Sequence, residues 1–459
     1  MQRGLGLGIV CLSLLVPFGI DSARAADDNE KLDWKAGVAA VEVTPTEPLW
    51  MAGYASRTKP SEGVTNPLFA KALFVEDERG TRFVMVTLDL IGIPRDMRDA
   101  VAKRVEAKHG LASASLLFNA SHTHSGPVVR SGGSVSYDLT EDQPQKIDAY
   151  NAGLQDKLFE LVGAALADAQ PARLSYSHAR AGFAMNRRLP TDKGVQNSPY
   201  PEGPVDHTVP VLRVEAPDGK LRAIVFGYAC HNTTLGLYEF CGDYAGFAQQ
   251  YIEEAHPGAR ALFVMGCGGD QNPYPRGTVE LAKQHGRTLA TAVEAALLPK
   301  AKPVRGPLKV GLREVELEFA MPLNREALLA LQAGTDKLDQ RRAAALLEEL
   351  AKTGRMRTSY TYPIQAVRFG DDLLFVALAG ETVVDFSLRL KRELTGRSLW
   401  VAGYSNDVFG YVPSRRVLEE GGYEASGAMR YTRLPGPFAL NVEEIIIDAV
   451  QQLVKELNE

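Results

Sequence analysis

The segment 119-NASHTHSGP-127 places His122 and His124 one residue apart, directly after the apolar run 115-SLLFNA-120, in a chain with eight histidines among 459 residues. In extended backbone, residues i and i+2 face the same side, so the two imidazoles are expected to converge on one point. Convergence of that kind suits a divalent metal: zinc takes imidazole nitrogen at about 2.0–2.1 Å, and a catalytic site keeps one position open for water. Hydrogen bonding within the loop, or a proton-transfer role, fits the same pair. Further ligands have to be sought elsewhere in the chain.

His231 and Glu381 answer that search. His231 follows 223-AIVFGYAC-230 and precedes Asn232-Thr233-Thr234, where a buried strand opens into a polar loop. Glu381 ends 373-LLFVALAGE-381, and a carboxylate at such a junction is costly to desolvate unless a cation or metal meets it. An acid stabilised by the dipole of a helix start is the alternative there. A fourth place is the aromatic, polar loop 402-AGYSNDVFGYVP-413. His109, His178, His207, His256 and His285 sit in helices, turns or ordinary strand and loop settings. Asp89, Asp243 and Asp270 are candidates for orienting the ligand imidazoles, and loop capping accounts for each as well.

The elements that must carry these residues are mixed. Strands are expected at 38–44, 69–77, 82–92, 172–179, 210–216, 260–266, 308–319, 364–369 and 373–379, which are β-branched and aromatic-rich. Helices are expected at 95–110, 146–169, 277–298, 381–394 and 441–458, and a helical hairpin inserted at 324–354. The pattern predicts an α/β fold, with mixed β-sheets packed between helices in a single large catalytic domain.

Composition narrows the class. With 45% hydrophobic and 23% charged residues the chain has material for a full core. A net charge of -5 and the absence of a basic cluster argue against nucleic acid as a partner. Residues 1–25 carry Arg3, an apolar stretch from Leu5 to Ile20 and an A-x-A ending, which reads as a secretory signal cut before Ala26. The protein is therefore expected to be exported, periplasmic or secreted, with no transmembrane segment after the leader is removed. Cys230, Cys241 and Cys267 remain in the mature chain. Pairing of Cys230 with Cys241 and three buried free thiols are both compatible with their spacing.

Taken together, 51-MAGYA-55, 121-SHTHSGP-127, 186-NR-187, 230-CHNTT-234, 269-GDQNP-273, 379-AGE-381, 404-YSNDVFGYV-412 and 423-YEA-425 resemble the neutral (non-lysosomal) ceramidase family. The resemblance implies one zinc ion per chain, held by His122, His231, Glu381 and Tyr411. It implies that His124 transfers protons and that Arg187 and Tyr423 contact the substrate amide and hydroxyl region. The activity implied is zinc-dependent hydrolysis of the N-acyl amide of ceramide or a related N-acyl lipid, giving fatty acid and a sphingoid base or amine. Two departures stand out. Asn272 occupies the place of a family serine to which a catalytic part is assigned, which favours attack by water. The C-terminal β-sandwich domain of longer members is not expected within residues 26–459, so a small soluble amide is an alternative substrate. A metallohydrolase of another amide or ester, or an exported binding protein without activity, are the competing classes.

Overall fold

The computed structural model describes Met1, residues 32–129 and residues 135–459; apart from Met1, the expected leader lies outside the described residues. Among these, nine strands form one mixed sheet. Its order runs Arg260–Met265, Leu221–Tyr228, Thr208–Glu215, Gln170–Arg180, Trp34–Glu42, Phe69–Asp77, Arg82–Leu88 and Leu116–Ala120, with Lys302–Val304 attached to Gln170–Arg180. Pairing is antiparallel except at the two ends, where Leu221–Tyr228 meets Arg260–Met265 and Arg82–Leu88 meets Leu116–Ala120 in parallel. A second sheet has the order Leu308–Glu318, Ser359–Phe369, Leu373–Leu378 and Ser398–Ala402.

The sheets pack face to face. Leu73, Phe83, Leu117, Leu212 and Val264 from the first share one core with Val367, Phe369, Phe375 and Trp400 from the second. Helices cover the outer faces. Arg95–His109 and Gln143–Ala167 lie on one half of the large sheet, Asp243–Ala255 and Val279–Leu297 on the other half. Val384–Glu393 and Val442–Asn458 cover the small sheet. Because both faces are buried, strands such as Phe69–Asp77 read as nearly continuous apolar runs rather than alternating ones. The expected α/β architecture, with sheets between helices, is what the chain adopts.

Two boundaries differ from expectation in ways that matter. The strand read as 82–92 ends at Leu88, and residues 89–92 leave the sheet to become part of the site. The helix Asp243–Ala255 is not among those expected from the sequence, and it buries Asp243 through Gln249 without a break. The inserted hairpin is present as Arg325–Ala333 and Lys337–Thr353, capped by Asn324 on Ala327 N–H and by Asp336 on Leu338 and Asp339 N–H. Cys230, Cys241 and Cys267 are free and buried, so the Cys230–Cys241 pairing does not form. No helix among the described residues is long and apolar enough to cross a membrane.

The two edges of the large sheet come together through one side chain. Asn119 Oδ1 accepts Met265 N–H at 2.7 Å, while its Nδ2 donates to Gly403 O at 2.8 Å and Ser405 Oγ at 3.1 Å. Single bridges Asn119–Ser405 and Gly266–Ala402 complete the closure. Strands at opposite ends of the sheet order thereby deliver their C-terminal loops to one place.

Candidate metal centre and active site

That place holds His122, His124, His231, Glu381 and Tyr411. His122 comes two residues after the strand Leu116–Ala120, and His231 three residues after Leu221–Tyr228. A bridge between Thr123 and Asn232 fastens the two loops. Extended backbone is not what makes the first pair converge: His122 has φ 62°, in the left-handed region. The turn is held by His122 N–H on Leu90 O at 2.9 Å and His124 N–H on Asn232 O at 3.1 Å. The rings still meet, with Nε2 of His122 and His124 3.1 Å apart. Gly53 makes this possible. A Cβ there would fall 2.4 Å from His124 Cγ, and its φ of 99° suits glycine.

Glu381 and Tyr411 reach the same point from the small sheet's loops. The segments Glu381–Thr382 and Tyr411–Val412 form a two-residue parallel ladder in which Glu381 is opposite Tyr411. Glu381 Oε2 lies 3.1 Å from His122 Nε2 and 3.2 Å from His231 Nε2, and Tyr411 Oη lies 3.2 Å from His231 Nε2.

The far ring nitrogens fix the tautomers. His122 Nδ1 is 2.6 Å from Ile91 O and His231 Nδ1 is 2.7 Å from Gly268 O. A carbonyl only accepts, so each Nδ1 carries the hydrogen and, in the neutral ring, Nε2 presents a lone pair. Two lone pairs then face one carboxylate oxygen, an arrangement that needs a cation or shared protons. Tetrahedral zinc with bonds of about 2.0–2.1 Å separates its ligands by about 3.3 Å, close to the spacings found. The donor set fits that metal. His122, His124 and His231 are also a group of potential ligands in their own right, their ring nitrogens lying within 4.8 Å of one another. Asp89, Asp243 and Asp270 do not orient the imidazoles. Asp89 instead accepts from Phe69 N–H and Gln249, Asp243 from Leu235 and Tyr244 N–H, and Asp270 from Val384 N–H and Asn186. Main-chain carbonyls in the loops that follow two strands, Ile91 O and Gly268 O, do that work, and no side-chain pattern in the sequence announces them.

Burial dominates the electrostatics. It pushes His231 down to about 4, with the Arg187 charge adding to the effect. Burial, with His122 and His231 beside it, also holds His124 well below the usual imidazole range. For Glu381 burial acts upward, but the two imidazoles overcome it and keep the carboxyl well below its ordinary range. Burial raises Tyr411 well above the usual phenol range, opposed by Arg187.

Arg187 stands behind Tyr411. Its Nη2 donates to Tyr411 Oη at 2.9 Å, Nη1 to Asn272 Oδ1 at 3.1 Å and Nε to Glu424 at 2.8 Å. Glu424 also receives Arg188 at 2.6 Å. The side chains of Arg187, Arg188 and Glu424 are 5%, 1% and 1% exposed, so this is a buried network. Neither Arg188 nor Glu424 stands out in the sequence as a site residue. Asn272 is buried, and its Oδ1 is taken up by Arg187 and by Thr233 at 3.2 Å. Tyr423 packs against Tyr411 with ring centroids 5.4 Å apart.

A cavity of about 420 Å³ opens onto the cluster. His122, His124, Glu381, Tyr411 and Tyr423 form its polar end. Ile91, Val128, Val129, Val408 and Phe409 supply apolar wall.

Comparison with known proteins gives consistent matches. The family described as neutral/alkaline non-lysosomal ceramidase, N-terminal, matches residues 34–279, over half of the chain. A neutral ceramidase of Mycobacterium tuberculosis is 26% identical over 270 residues, covering 56% of this chain and 40% of that protein. Neutral ceramidase B of Dictyostelium discoideum is 23% identical over 295 residues, covering 58% of this chain and 38% of its own length. The chain thus spans well under half the length of these relatives. A crystal structure of neutral ceramidase from Pseudomonas aeruginosa superposes with a TM-score of 0.70 at 22% identity, covering 93% of this chain and 74% of that one. A structure described as ceramidase complexed with C2 gives 0.70 at 19% identity, with coverages of 92% and 76%. These two likenesses speak to the fold.

Proposed function

The chain belongs to the neutral/alkaline non-lysosomal ceramidase family, and from that premise we propose that it is a zinc-dependent amidohydrolase cleaving the N-acyl amide bond of ceramide or a related N-acyl lipid. The observation that carries this reading is the convergence of His122 and His231 Nε2 on one oxygen of Glu381, with Tyr411 alongside, at the end of a cavity. His122, His231, Glu381 and Tyr411 would hold the ion. Bound there, zinc supplies Lewis acidity toward the amide carbonyl and toward the attacking water.

The chain's own groups do the rest. His124 faces the same space through Nε2, is held by burial well below the usual imidazole range, and has a buried Nδ1 without a hydrogen-bond partner among the described residues. It takes a proton as water adds to the carbonyl carbon and returns one to the nitrogen as the C–N bond breaks. Tyr423, lining the cavity, offers a hydroxyl to the substrate's polar groups. Arg187, bonded to Glu424, Asn272 and Tyr411 and set behind the cavity's lining, acts on the substrate through Tyr411, whose oxygen it fixes. Asn272 removes any nucleophilic serine from its position, in keeping with direct attack by water.

A second reading, hydrolysis of a shorter soluble N-acyl compound, is favoured by the cavity's volume of about 420 Å³, toward the small end for a ligand site. Assay of the purified protein against N-acyl sphingosines and N-acyl amino acids, with and without chelator, tests both. Failure to cleave any of them with zinc bound would overturn the amidohydrolase reading. We also propose export after cleavage before Ala26; the intact mass of protein recovered outside the cytoplasm tests it.

A further inference from the structure

The strands Leu308–Glu318 and Ser359–Phe369 are antiparallel neighbours in register, with Glu318 opposite Ser359. Two residues suffice to join such a pair. Residues 319–358 intervene instead, and the helices Arg325–Ala333 and Lys337–Thr353 within them are not needed to close the sheet. They have a small core of their own, Leu328, Ala343 and Leu346, separate from the cores of the sheets.

What they grip is the outer wall of the cavity. One part of that wall is the segment 135–138, which contributes Ser136 and Tyr137. The other is the segment 428–433, which contributes Ala428, Tyr431, Thr432 and Arg433. Arg341, on the second helix, donates through Nε to Val135 O at 3.0 Å and through Nη1 to Asp138 at 3.2 Å. Arg342, the next residue and buried, donates to Leu434 O at 2.7 Å. Arg430 reaches back to Asp336 at 2.7 Å and Asp339 at 3.1 Å, while Arg357 donates to Arg433 O at 2.5 Å. The two wall segments touch directly through Ser136 Oγ on Tyr431 O at 2.8 Å. Adjacent arginines on one helix thus tie together two loops whose other anchors are separate: Tyr137 Oη accepts Gly53 N–H at 2.8 Å, and Met429 and Leu434 pack in the small sheet's core.

We propose that this helical hairpin is a specificity element: a strap that fixes the spacing of the two wall loops and so sets the size of the N-acyl substrate admitted to the cavity. The proposal rests on the amidohydrolase reading for its kinetic consequence, not for its mechanical one. None of the strap residues belongs to the catalytic machinery described above.

The experiment compares the zinc-loaded wild-type chain with Arg341→Ala/Arg430→Ala and with a chain whose residues 324–354 are replaced by a short Gly-Ser link. Amide hydrogen exchange is followed across 135–138 and 427–434, and kcat/KM is measured for N-acyl substrates from acetyl to palmitoyl. The expected result is faster exchange confined to those two segments, unchanged zinc content, and a change of about tenfold in the palmitoyl-to-acetyl ratio of kcat/KM. Unchanged exchange in both variants would overturn the strap. An equal loss for every acyl length would overturn the specificity role, marking the hairpin as structural only. Should the wild-type chain cleave no member of the series, the amidohydrolase reading fails by itself. The exchange data, with the relative affinities of the variants for acetate and palmitate, then decide the strap.

Discussion

Glu381 and Tyr411 are register partners in a two-residue parallel ladder, and this pairing brings two of the four candidate donors side by side. Gly380 makes it possible. Its φ is 68°, and a Cβ would meet Val412 Cγ2 at 2.7 Å and Gly410 O at 2.9 Å. Gly380→Ala is expected to cost about 2–4 kcal/mol from the left-handed backbone and the overlap. Urea unfolding measures that cost, and chelator competition should show weaker zinc binding in the variant.

Metal retention separates the roles of the histidines. His231→Ala and Glu381→Gln should lose most bound zinc, since each removes a donor from the cluster. His124→Ala should keep its zinc and lose turnover by about 10²–10⁴-fold, the range for a proton-transfer group. Metal analysis beside single-turnover assays checks both. If His124→Ala comes up metal-free, the three imidazoles bind jointly.

Removing the metal should lower stability as well as activity. The lone pairs facing Glu381 call for a cation whose site only the folded chain assembles, so bound zinc would add stability by mass action, about 4 kcal/mol at a thousand times Kd. Calorimetry before and after chelation, and after adding zinc back, should show a lower and then restored melting temperature.

Asn119 ties the sheet edges, and Asn119→Ala would leave Met265 N–H without its side-chain acceptor, while Gly403 O keeps Ser405 Oγ at 2.8 Å. About 1–3 kcal/mol is expected for the group left unsatisfied. Because the closure brings the loops of His122 and His231 together, zinc affinity should fall with stability. Normal zinc affinity in a destabilised variant would show that the loops hold themselves.

Asn272→Ser should not create a covalent intermediate, and intact-mass measurement during turnover checks this. Asn272→Ala frees Arg187 Nη1 and Thr233 from their shared acceptor. Its cost should stay within the few kcal/mol of one lost polar contact at the site.

Much of this protein is determined by its sequence alone. Long apolar and β-branched runs locate the strands, because a strand buried on both faces must be apolar along its length. His122, His231 and Glu381 are each recognisable where such a run breaks into polar residues, since an ionisable group there needs a partner. Tyr411 has no comparable local signal, and only its family setting singles it out. What tertiary structure decided is how these points meet. His122 and His231 follow strands near opposite ends of the sheet order, and closure through Asn119 with the Thr123–Asn232 bridge brings them together. Their tautomers are set by the carbonyls of Ile91 and Gly268, which every residue possesses and no residue type reveals. Asn119 and Glu424 owe their roles to partners more than a hundred residues away. Side-chain type and local period are written along the chain; convergence of distant loops depends on packing, which is not.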